Sequence, residues 1–349
     1  MKYFKLFIAI LIVFSKTGNI LCEENIFDVN NIEITKNLKS NNEKLANRAI
    51  KKGFEKLKEK ILTNTESDKL SNLKFADVKK LVSYYQIKTD EKSAQEENQV
   101  IFNVSFDREK LHRLFYERRV LYSEIINKEI YILPIFKKDN KNYVYNENFF
   151  YENWNKNNEG QLIEFILPLE NIEIIQIINA NKDNLLDISL SNFFKEYSNN
   201  NLALVLIEQE NLKPEKIFLK TKIQGKNINK NINIMDQSFK SKKILNEKII
   251  AQVKTDITNI IKNENLIDVR TPSFLNTKLF FSKNNDLYEL NKRLNKIELI
   301  ENIFVQEFNN EFTMLKIKYL GKLEKIIDKL NKEKIELKLI GEDWSLKII

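Results

Sequence analysis

The chain has 349 residues, with 57 Lys and Arg against 49 Asp and Glu, one cysteine, one histidine and six glycines. These scarcities exclude disulfide frameworks, Cys-based zinc sites, sites built on two histidines of one chain, and glycine-rich phosphate loops, because each needs several of the missing residues at close spacing. Setting aside Lys2, Lys5 and Lys16 with the N-terminal segment leaves 54 basic and 49 acidic residues, a mixed surface for which no nucleic-acid partner is expected. Runs such as 240–243, or Lys137-Lys138 with Lys141, read as solvated faces.

Lys2 and Lys5 precede an apolar run over 6–14, a polar stretch over 15–19, and Ile20-Leu21-Cys22 before Glu23-Glu24. That order is the layout of a secretory signal peptide, and the run is well short of the ~20 residues that span a bilayer. Residues 1–22 are therefore expected to be a signal peptide cleaved after Cys22, which makes the mature protein periplasmic. A retained N-terminal membrane anchor and a lipoprotein acylated at Cys22 are the alternatives. The second is disfavoured because Leu21 is not small.

An N-terminal α/β unit is expected over 23–127. A strand over 27–34 alternates Phe27 and Val29 with polar residues, and a helix from Asn42 carries Ala46, Ile50, Phe54, Leu57 and Ile61 along one face. A shorter helix near 75–82 leads to a hairpin with arms over 84–89 and 100–106. In the second arm Val100, Phe102, Val104 and Phe106 share a face, and 90–98 form a solvated tip. Any Ser-His-Asp triad or carboxylate-histidine metal site would have to use His112. The surrounding Asp107-Arg108-Glu109-Lys110-Leu111-His112-Arg113 instead reads as the start of an amphipathic helix capped by Asp107, with His112 on its surface or packing side.

A second α/β unit is expected over 128–238. The nearly continuous apolar run over 130–136 suits a strand covered on both faces despite Pro134. Tyr143, Tyr145, Phe149, Phe150, Tyr151 and Trp154 follow as an aromatic group, read first as buried core and second as an exposed partner-binding patch. An apolar run over 162–167 ending at Pro168, helices over 172–178 and 190–197, and strands over 202–207 and 217–223 complete the unit. A connecting long helix over 239–271, with Ile250, Val253, Ile257 and Ile260 on one stripe, ends at the joint marked by Pro272.

The C-terminal unit, 272–349, has the order strand 277–281, helix with Leu287, Leu290 and Leu294, strand 299–305, strand 312–319, helix with Leu323, Ile326 and Leu330, and strand 335–340. This is the βαββαβ order of a ferredoxin-like domain. Asn309-Asn310 is expected to turn the hairpin through positive φ, and 344–348 to add an edge strand or close the end of the sheet. The fold class expected for the whole chain is mixed α+β and α/β, two small α/β units followed by that domain.

Phe27-Asp28-Val29 with its following helix, Val100-Ile101-Phe102-Asn103-Val104-Ser105-Phe106-Asp107 with Lys110-Leu111, and Ile130-Tyr131-Ile132-Leu133-Pro134 together resemble the bacterial domain-of-unknown-function family 2066. The stretch 287–344 is also similar to that family's C-terminal part, whereas Lys128-Glu129 replaces its usual arginine-proline pair. The resemblance implies a bacterial exported envelope protein and brings no catalytic residues with it.

The leading expectation is a non-enzymatic module that binds or assembles envelope proteins, with an envelope protein as partner and no cofactor. One alternative is a carboxylate-based hydrolase using Glu298, Glu301 or Asp343, alone or with a divalent cation. Another is a membrane-surface or lipid-binding module using the aromatics around Trp154 and a lysine-rich strand over 220–230 with Lys222 and Lys226. No catalytic, cofactor-binding or metal-ligating residue is assigned, and the oligomeric state is left open.

Overall fold

The computed structural model describes residues 25–36, 41–88, 99–125, 129–156, 162–182, 184–210, 213–233, 241–281, 286–341 and 343–349. The export segment 1–22 and the hairpin tip 90–98 lie outside the described residues. In chain order the elements are β1 (Asp28–Thr35), α1 (Asn42–Ile61), α2 (Asn64–Asp68), α3 (Phe75–Lys80), β2 (Val82–Lys88), β3 (Gln99–Phe106), α4 (Arg108–Arg118), β4 (Tyr122–Ser123), β5 (Glu129–Lys138) and β6 (Lys141–Tyr143). They continue with α5 (Phe149–Asn153), β7 (Glu164–Ile166), α6 (Ile172–Ala180), α7 (Leu190–Phe193), β8 (Leu202–Glu210), β9 (Lys213–Ile223), β10 (Lys226–Ile232), α8 (Lys242–Glu264) and β11 (Leu266–Ile267). The last are β12 (Ser273–Phe280), α9 (Asp286–Leu294), β13 (Ile300–Phe308), β14 (Phe312–Tyr319), α10 (Leu323–Lys332), β15 (Ile335–Ile340) and β16 (Asp343–Ile348).

The architecture is mixed α/β with four sheets among the described residues. Contacts divide the chain into two compact bodies, each discontinuous in sequence: 25–57, Asn72–Leu114 and Ser273–Ile349 form one, and Lys58–Ser71 with Phe115–Pro272 form the other. This partition does not follow chain order. Compactness follows contacts between elements far apart in the chain, and element order does not encode those contacts.

The first body holds two sheets. The smaller is antiparallel in the order β1-β3-β2, with Phe102, Val104 and Phe106 buried beneath Ala46, Ile50, Phe54 and Leu57 of α1. Gly53 permits this close approach, since a Cβ there would lie 2.9 Å from Ile32 Cδ1. The outer edge of β1 is blunted by α1, whose Arg48 and Lys52 donate to Thr35 O at 3.1 Å and Glu33 O at 3.0 Å.

The larger sheet runs β13-β14-β12-β16-β15. A plain βαββαβ sheet would place β15 against β12. Here β16 inserts between them, parallel to β12 and antiparallel to β15, so the expectation of an added edge strand or end packing for 344–348 is corrected. β16 pairs with β15 from Ile340 and Asp343 onward, and Leu346 joins Leu279 and Leu337 on the buried side. The β13–β14 turn is also made differently from the expectation. Asn309 is not in the positive-φ region; its Oδ1 accepts from Glu311 N and Phe312 N, both at 2.9 Å.

The second body is built on the sheet β10-β9-β8-β5-β6, with β7 also paired to β5. β5 and β8 are parallel, and their alternate residues supply two cores. Ile130, Ile132, Ala203, Val205 and Ile207 join Leu245, Ile249, Val253 and Ile257 of α8 on one face. Leu133, Ile135, Leu202, Leu204 and Leu206 join Ile174, Ile178 and Phe193 on the other. Both-face burial explains why the run over 130–136 lacks polar alternation. β10 is largely exposed and polar; the single lysine-rich strand expected over 220–230 is broken by a two-residue turn in which Gln224 and Gly225 take φ of 50° and 79°, so its two halves fall on β9 and β10.

Candidate functional site

The feature of the described surface best suited to binding lies in the first body, where β13 borders α9. β13 pairs with β14 on one side, and among the described residues no strand pairs with its other side. Its sequence, Ile-Glu-Asn-Ile-Phe-Val-Gln-Glu-Phe, contains no lysine or proline, and its two charges, Glu301 and Glu307, flank an uncharged stretch over 302–306. Phe304, Val305 and Phe308 are 47%, 56% and 64% exposed. Two register irregularities, between Ile300 and Asn302 and between Val305 and Glu307, bound a regular stretch over 302–305.

Beside this edge runs a groove of about 990 Å³. Leu290 and Leu294 seat α9 on the sheet while Tyr288 stays exposed, so the helix forms one wall and Ile303, Val305 and Phe308 the other, with Leu315 between them. Asn291, Asn309 and Asn310 supply polar lining, and among the described residues no charged side chain lines the groove. A wall of unpaired main-chain groups next to an uncharged apolar trough offers two kinds of contact at once. The backbone supplies strand-type hydrogen bonds and the trough takes every second side chain of an added strand.

His112 packs edge-on against Phe27, with ring centroids 5.7 Å apart, and its Nδ1 lies 3.9 Å from Glu301 Oε1. Glu301 is held in turn by Lys318 at 2.8 Å. Burial, with the Arg108 charge beside it, lowers the imidazole pKa from 6.5 to about 4, and Glu301 opposes that shift. As pH falls below 6.5 the unfolded chain takes up a proton that the folded imidazole accepts only near pH 4. Stability is therefore lost across that window, by roughly 3 kcal/mol in full. Urea titrations at about pH 7 and about pH 4 should show this loss in the native chain and a much smaller one in His112→Phe, which keeps the contact with Phe27. Equal losses would remove His112 as the cause.

The acidic candidates do not converge. Glu301 stands on β13 and Asp343 on β16, with β14 and β12 between those strands, and Asp343 is paired with Lys278. The Glu298 carbonyl accepts from Arg108 Nη1 at 2.9 Å. Among the described residues no group of three or more His, Cys, Asp or Glu is placed to hold a metal ion.

In the second body the aromatic group is core: Trp154 is 1% exposed, Phe150 and Tyr145 are buried, and Tyr143, Phe149 and Tyr151 pack against them. The exposed-patch alternative is corrected, because a sheet with two covered faces has room for these rings on both. The lysine-rich stretch is likewise committed. Lys220 donates to Leu186 O and Ile188 O, Lys222 to Ser198 O, Lys226 to Glu264 and Lys230 to Asp256. No helix among the described residues is long and apolar enough to cross a membrane.

The groove was not singled out from sequence. Its signal is the contiguous Ile303-Phe304-Val305, apolar on both faces, but such a run describes a central strand equally well until its neighbours are known. Comparisons with protein-family models, curated proteins and solved structures find no match to this chain.

Proposed function

We propose that this chain is an exported bacterial envelope protein that binds another protein without catalysis, by accepting an extended segment of its partner along the free side of β13. The observation that carries this reading is an edge strand that exposes Phe304, Val305 and Phe308 in a stretch without lysine or proline, directly beside a groove whose described lining is uncharged. In this reading the C-terminal sheet is an elaborated ferredoxin-like domain with β16 as the added strand, and α9 and β13 are the recognition elements. Export rests on the N-terminal pattern of basic, apolar and polar stretches, and the resemblance to family 2066 points the same way.

A photo-reactive side chain placed at Phe308 is expected to cross-link to an envelope protein in the native host. The same label at Tyr116, also exposed, should give no specific adduct. Val305→Lys places a blunting charge on an exposed position and should remove the Phe308 adduct while leaving the thermal transition in place. Equal labelling at the two positions, or an adduct indifferent to Val305→Lys, would count against the β13 edge as the binding site.

A further inference from the structure

We propose that a second site, a concavity between the C-terminal ends of α9 and α10, binds a multivalent anion of the phosphate class. The cavity measures about 340 Å³ and is lined by Lys292, Arg293, Lys296, Lys332 and Lys334 against only Glu289 and Glu333. Both carboxylates are already satisfied, Glu289 by Arg293 Nε at 3.0 Å and Glu333 by Lys296 at 3.2 Å. Lys292, Lys332 and Lys334 are in no ion pair among the described residues, although the Lys292 charge helps to hold the Glu289 carboxyl below its usual range, and with five cations against two carboxylates the lining carries net positive charge.

The arrangement is fixed as well as charged. Arg293 Nη1 donates to the carbonyls of Glu333 and Lys334 at 3.1 and 3.0 Å, which sets the guanidinium plane. Lys334 O also accepts from Ile349 N at 2.9 Å, which ties this turn to the end of the sheet. A guanidinium held in place with ammonium groups around it suits the tetrahedral oxygens of a phosphate, and several cations favour an ion of more than one charge.

Single cations near helix C-termini are stabilising by themselves, and that accounts for Lys292 and Lys332 taken one at a time. It does not account for Lys334. That residue follows the end of α10 with φ of 57°, the left-handed position where glycine sits without strain and a residue with a β-carbon does not. The chain places a lysine where the backbone favours glycine, and that lysine lines the cavity.

The site is distinct from the β13 groove and does not depend on the function proposed for it. Its test is calorimetric titration of the full chain with inorganic pyrophosphate at low salt. Saturable binding is expected, weakened by about tenfold in Lys334→Gly and in Lys332→Ala, and screened as salt is added. Lys334→Gly also relieves the backbone, so its melting temperature should rise while its affinity falls, which separates loss of the site from loss of the fold. Sedimentation of the chain with phosphatidylglycerol vesicles, reversed by pyrophosphate, would identify the anion as a lipid headgroup. Pyrophosphate binding without vesicle sedimentation would identify it as a soluble phosphate. Absence of saturable binding, or binding by both variants as tight as that of the native chain, would overturn the proposal.

Discussion

Replacing Asn148 with alanine should destabilise the second body by about 4 kcal/mol, the loss of a helix cap together with buried carbonyls left without a donor. Asn148 is 0% exposed and uses both ends of its amide. The two Nδ2 hydrogens are shared among Pro134 O at 2.9 Å, Tyr143 O at 3.0 Å and Val144 O at 2.7 Å, which holds β5 to the end of β6. Oδ1 accepts from Phe150 N and Tyr151 N and so caps α5. The near-isosteric Asn148→Asp keeps the cap acceptor but aims a carboxylate at three carbonyl oxygens, so it should cost more than alanine at neutral pH. Its folded-state pKa would be raised, and the variant should regain stability as pH falls toward the ordinary carboxylate range. Urea unfolding followed by Trp154 emission in a Trp344→Phe background reads this body. A cost below about 1 kcal/mol for Asn148→Ala would show that the bracket is dispensable.

The second large effect concerns Lys262, buried on α8. Its ammonium donates to Leu62 O at 2.8 Å and to Glu59 O, carbonyls in and just after the last turn of α1. Helix C-termini leave such carbonyls without partners, and a cation there also complements the helix dipole. Burial lowers the Lys262 pKa from 10.5 to about 8, with Glu59 opposing. Between those values the unfolded chain holds a proton that the folded chain has released, so this group adds stability as pH rises from about 8 to about 10.5, by roughly 3 kcal/mol in full. In Lys262→Met that rise disappears. Near pH 7 the variant should lose about 2 kcal/mol, because orphaned carbonyls outweigh the relief from removing a buried charge. Lys254, whose pKa burial also lowers to about 8, titrates in both proteins and cancels in their difference. A native-minus-variant difference that stays flat with pH would refute the assignment.

Both residues show where sequence reading ends. Asn148 and Lys262 look like ordinary polar residues in a chain rich in Asn and Lys, and nothing in their immediate neighbours marks them. Each acts on carbonyls supplied by another element, Pro134 in one case and Glu59 in the other. The β13 groove was invisible for a related reason. Period-two patterning shows which side of a strand is apolar, but not whether a neighbouring strand covers its edge. The lysines around Arg293 come from two helices and the turn after the second, so their shared cavity has no sequence signature either.

What the sequence determined by itself was local. The stripe Ala46, Ile50, Phe54 and Leu57 specified a helix with one buried face. The unbroken run over 130–136 specified a strand covered on both sides, and Asp107 marked the start of α4, where it accepts from Lys110 N at 3.0 Å. These follow from backbone periodicity and capping, which depend on residues a few positions apart. Tertiary structure alone decided the insertion of β16 between β12 and β15, the discontinuous bodies, the free side of β13 and the uses of Asn148 and Lys262. Each depends on which distant segments share a sheet or a helix end, and burial energy selects those pairings over the whole chain at once.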